Sequence, residues 1–140
     1  MTYADVIERL EREKDLVRKL NALLQQELDF IASDDVQALE DSMPAKQKII
    51  RTVQEIRQES QMPSGDPNTD DAERMRSLQQ DLVRLWKKAT GLNEISKRMV
   101  SQRLSEIDDT VQAFFTGLKE SYTREGRKST IPIHTIRTGA

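Results

Sequence analysis

The sequence predicts an all-α fold, an elongated antiparallel three-helix bundle or coiled coil with a long third helix and an irregular C-terminal tail. Three observations predict it. Apolar residues recur at heptad spacing over long stretches. The composition, 36% apolar and 33% charged with 4% aromatic residues, suits long amphipathic helices better than a compact globule. One segment alone, Gln61–Thr69 (QMPSGDPNT), has clear loop composition. A chain of 140 residues has the size of one domain with one core. The expected division is a helical domain over 1–126 and a tail over 127–140.

The first helix is expected over about 2–33. Tyr3, Leu10, Val17, Leu24 and Ile31 recur every seventh residue, and Ile7, Leu20 and Leu28 fall beside them. This seam suits a helix of about 45 Å. Glu13 and Lys14 interrupt it midway.

Ser33-Asp34-Asp35 supplies a turn, and Asp34 with Gln37 has the form of a capping box for a second helix over about 35–60. That helix carries Val36, Leu39, Met43, Ile49, Ile50, Val53 and Ile56. Pro44 lies within it, predicting either a kink against the carbonyl of Glu40 or a restart with Ser42 as cap.

After the loop, Asp70 with Glu73 forms a second capping-box pattern, opening a third helix over about 70–124. Met75, Leu78, Leu82, Leu85, Ala89, Leu92 and Met99 continue a heptad. Near Val100 the phase shifts through a stutter at 92, 96, 100 and 104, just past Gly91. Gly126 is a C-cap candidate. The tail, with Ile131, Ile133 and Ile136, has no helical period and reads as extended and mobile.

The helix lengths carry a functional expectation. Helices one and two match as a hairpin, whereas helix three is close to twice as long, so only half of it can lie against them. The remaining half displays Leu104, Ile107, Val111, Phe114, Phe115 and Leu118. Burying each is favourable by roughly 1.5–3 kcal/mol. Three covers are open: a second copy of the chain, the chain folding back at Gly91, or a client protein. Ordinary bundle core accounts for the same spacing.

The charge pattern excludes several function classes. Net charge is −2 with acids and bases interleaved, so no basic stripe marks a nucleic-acid surface. No stretch is long and apolar enough to cross a bilayer, and Glu106, Asp108, Asp109 and Glu120 do not suit a membrane-surface helix. Asp5, Glu8 and Arg9 in the first residues predict no signal peptide, and the cytoplasm is the expected compartment.

Catalytic groups are few. His134 is the single histidine and cysteine is absent. Asp34-Asp35 and Asp70-Asp71 sit at helix starts, where they serve as caps. Asp108-Asp109 lies mid-helix with its side chains diverging. The five glycines are scattered, forming no phosphate loop. Trp86 beside Leu82 and Leu85 reads as a core or seam residue. The sequence therefore predicts no enzyme, no metal and no cofactor.

Ile31–Glu40 (IASDDVQALE), followed by Lys46 and Ile49-Ile50, resembles the turn between the first two helices of the FlgN-type flagellar export chaperones. Leu92-Asn93 and Tyr122–Gly126 (YTREG) are also similar to the pattern of that family, and the resemblance spans about Leu16 to Gly126. Ser96 stands where the family commonly has a second Asn, and Pro44 intrudes on a stretch that is otherwise smooth helix. The resemblance implies a cytoplasmic chaperone of the flagellar type III export system. Its clients would be hook-associated (hook–filament junction) proteins, bound through the C-terminal part and handed to the export apparatus. A coiled-coil homodimer without a secreted client is the rival expectation.

Overall fold

The computed structural model describes residues 1–124, with side chains to Leu118. The expected C-cap at Gly126 and the tail 127–140, with its isoleucines and His134, lie outside the described residues. Three helices follow in order: α1 (Tyr3–Ala32), α2 (Val36–Glu59) and α3 (Thr69–Arg124), the all-α bundle that the heptads predict. The chain divides into two compact units, Met1–Met99 and a second beginning at Val100. The boundary falls inside α3, where the heptad phase shifts.

Helix α1 begins with a cap that the sequence reading missed. Thr2 Oγ1 accepts from the Asp5 amide at 3.2 Å, and the Asp5 carboxylate accepts from the Thr2 amide at 2.9 Å. These bonds to Thr2 hold the Asp5 carboxyl below its ordinary 3.8.

The α1–α2 turn corrects the predicted Asp34–Gln37 box. Asp34 takes a left-handed φ of 55°. Its amide donates to Ile31 O at 3.2 Å and that of Asp35 to Phe30 O at 2.9 Å, the two bonds of a Schellman closure. Asp35 then caps α2, accepting from the Ala38 amide at 3.0 Å. Asp34 cannot do both, because its backbone is spent on reversing the chain. Gln37 bonds Asp41 instead, at 2.9 Å.

Helix α2 continues through Pro44, and Ser42 Oγ donates to Leu39 O at 2.8 Å from within the helix. The restart at Ser42 therefore does not occur. The cap of α3 also moves from its predicted place: Asn68 Oδ1 accepts from the Asp71 amide at 2.7 Å, two residues ahead of the expected Asp70–Glu73 box. The Tyr3 hydroxyl donates to Gly65 O, tying the loop to the start of α1. Helix α3 runs unbroken through Gly91, so no fold-back occurs there.

In the first unit, α2 runs antiparallel to α1 and the early part of α3 runs parallel to it. Pairs across α1 and α2 mirror one another (Glu27 with Lys46, Glu13 with Arg57), whereas pairs across α1 and α3 advance together (Glu11 with Arg74, Lys14 with Asp81). Val17, Leu20, Leu24 and Ile31 of α1 are buried with Val53 and Ile56 of α2. From α3 come Met75, Leu78, Leu82, Ala89 and Leu92.

The structure reinterprets the interruption at Glu13. Glu13, Leu20 and Glu27 form the second buried row of α1, each three residues after a seam position. Glu13 and Glu27 are 6% exposed, and each takes a cation from α2. Arg57 Nε lies 2.7 Å from Glu13 and Lys46 Nζ 2.7 Å from Glu27. These are interhelical clamps within the seam. Buried Asn21 adds a third polar tie, donating to Leu85 O of α3 at 3.1 Å.

Candidate partner-binding surface

The second unit begins with 100–118, all of it helical. At about 100° per residue, Leu104, Ile107, Val111, Phe114, Phe115 and Leu118 fall within one arc of roughly 100°. Leu104, Ile107 and Phe114 are about 60% exposed (62%, 59% and 62%) and Val111 is 38% exposed. Phe115 and Leu118 are half-buried. The Phe114 and Phe115 rings meet edge-to-face at 5.5 Å. Among the described residues this unit is one helix, and none of them covers the stripe.

Polar residues lie outside this arc, Arg103 and Asp108 beside its two edges and Glu106 behind it, and are tied within their own helix. Thr110 Oγ1 donates to Glu106 O at 2.9 Å, and Gln112 Nε2 lies 3.3 Å from Asp108 Oδ2. Arg103 Nη1 reaches Glu106 Oε2 at 3.4 Å. The segment thus presents an apolar face with no polar competitor and an acidic back. It can bind apolar surface and offers no group for chemistry.

Sequence reasoning missed a second feature, in the first unit. Trp86, expected in the core or seam, is half-buried, and its Nε1 donates to Glu13 Oε2 at 3.3 Å. The Arg57 guanidinium lies over its ring, 5.4 Å from the centroid. Glu13, Arg57 and Trp86 therefore bracket all three helices together. The hydrogen bond to Glu13 raises the pKa of the Arg57 guanidinium above its ordinary value. The available signal was the recurrence of Glu13, Leu20 and Glu27, masked by reading charge as solvated.

Among the described residues no cluster of His, Asp or Glu side chains is placed to hold a metal ion, and no helix is long and apolar enough to cross a membrane. A model of the FlgN protein family matches residues 1–130, nearly the whole chain. The chain belongs to the FlgN family. Its place is thus among the flagellar export chaperones, which bind export substrates and are not an enzyme family. FlgN membership agrees with the helical architecture and with the turn at Ile31–Glu40. No curated protein and no solved structure matches the chain.

Proposed function

We propose that this FlgN-family chain is a cytoplasmic chaperone that binds hook-associated proteins and hands them to the flagellar export apparatus. The client surface is the stripe Leu104, Ile107, Val111, Phe114, Phe115 and Leu118. The observation that carries the reading is the exposure of this apolar arc in a chain of an export-chaperone family. An amphipathic client segment would exchange water for this face and shield its own apolar residues from premature assembly.

Calorimetric titration of the full chain with purified hook-associated proteins tests it. Phe114→Asp is expected to weaken binding while the helical circular-dichroism signal and melting temperature stay unchanged. Loss of fold together with binding would make Phe114 a core residue and defeat the assignment. Leu104, Ile107, Val111, Phe114 and Leu118 alternate in three- and four-residue steps, the spacing of a coiled-coil seam, and this favours a homodimer as the second reading. A tight dimer in sedimentation, indifferent to any client, would decide for it.

A further inference from the structure

Helices α2 and α3 of the first unit both pack on α1 and leave a furrow between them. Near the start of α1 it holds about 880 Å³ and is lined by Val6, Leu10, Ile56, Leu82, Val83 and Trp86 among others. A smaller cavity of about 230 Å³ continues it past Leu20, Leu24 and Ile50, sharing Trp86 and Thr90. From Val6 to Leu24 this spans about 27 Å, the length of a five-turn helix.

The charges along the furrow are one-sided. Arg9, Arg57, Lys87 and Lys46 line it, against the single carboxylate of Glu13. Glu13 is already held by Arg57 and Trp86, and Lys46 by Glu27. Arg9 is different. Its Nη1 is shut off from solvent with no hydrogen-bond partner among the described residues. Asp5, Glu8 and Glu59 share a recess on its other side, and Asp5 attracts it electrostatically, yet none lies within ion-pair distance among the described residues. A buried guanidinium donor without an acceptor costs free energy that an incoming carboxylate would recover.

We propose that this furrow docks a fourth helix, an amphipathic segment of a partner protein that carries acidic residues beside its apolar stripe. The apolar stripe covers Val83, Trp86 and Ile50, and a carboxylate draws the Arg9 guanidinium outward to meet it, giving the enclosed Nη1 an acceptor. A basic helix of the same shape is repelled by Arg9 and Lys87, the two furrow cations that no carboxylate pairs among the described residues. The site is separate from the stripe on the second half of α3 and does not rest on it.

The test is fluorescence anisotropy of the full chain with a labelled synthetic helix of about 18 residues. It has leucines at helical spacing flanked by glutamates, and a second peptide has lysines instead. The acidic peptide is expected to bind at least about ten-fold more tightly, the scale of one charged hydrogen bond. Arg9→Glu, and to a lesser degree Arg9→Gln, should erase that preference with the helical signal intact. Val83→Asp, at a side chain 53% exposed, should abolish binding, whereas Phe114→Asp should leave it unchanged. Absence of binding, equal affinity for both peptides, or sensitivity to Phe114→Asp but not to Val83→Asp would overturn the proposal. So would a dimer that Val83→Asp dissociates, which would assign the furrow to a second copy.

Discussion

Removing Arg57 should harm the fold more than removing its partner Glu13, although both changes break the same ion pair. The Glu13 side chain is 7% exposed and that of Arg57 is 59% exposed. In Arg57→Leu the Glu13 carboxylate stays buried with the Trp86 Nε1 donor, at 3.3 Å, as its remaining cross-helix bond. Stranding a buried charge costs about 3–5 kcal/mol, and the lower end applies because Trp86 still donates. In Glu13→Leu the freed guanidinium turns to water, and an apolar residue enters a buried row of the seam. The cost there is about 1 kcal/mol or less, chiefly the lost hydrogen bonds of Arg57 and Trp86. The double variant should fall near the wild type. Urea denaturation followed by circular dichroism reads all four proteins on one scale. Three kcal/mol is a large share of the 5–15 kcal/mol typical of a domain, so the difference is measurable. Equal losses in the two single variants, or a larger loss in Glu13→Leu, would refute the view that burial of the carboxylate governs this pair.

Three further outcomes are expected. Leu78→Ala, at a fully buried side chain, should cost about 3 kcal/mol, whereas Leu104→Ala, 62% exposed, should change stability by under about 0.5 kcal/mol; urea midpoints of the two variants check this. The hydrogen bond from Lys14 at 2.8 Å, with a second from Arg84, holds the Asp81 carboxyl below its ordinary 3.8. Its stabilisation is therefore complete above that value and is lost as pH falls through the lower folded one, so Asp81→Asn should flatten the acid side of the stability–pH curve below about pH 4 and leave its slope at higher pH unchanged. Pro44→Ala restores a backbone donor inside α2 and should raise the thermal midpoint, by an amount equivalent to about 1–3 kcal/mol.

The features legible in the sequence were those set by local periodicity. The seven-residue recurrence from Tyr3 to Ile31 located α1, and Gln61–Thr69 located the interhelical loop to within a residue. The six-residue arc from Leu104 to Leu118 could be drawn from helical geometry alone. Caps were harder, because Asp34 and Asp35, or Asn68 and Asp70, are equally able acceptors one or two residues apart. The choice fell to whichever residue was not already needed to reverse the backbone, as Asp34 is.

Three long helices, their spans and the apolar faces they carry follow from local periodicity, since each depends on residues within a few turns of one another. The burial of Glu13 and Glu27, the placing of Arg57 across Trp86 and the furrow that Arg9 faces between α2 and α3 came instead from packing between helices. The reason is that the state of a charge is set by what other helices bring to it. Arg57 stands 44 residues from Glu13 and Trp86 stands 73 from it, beyond the reach of any helical period.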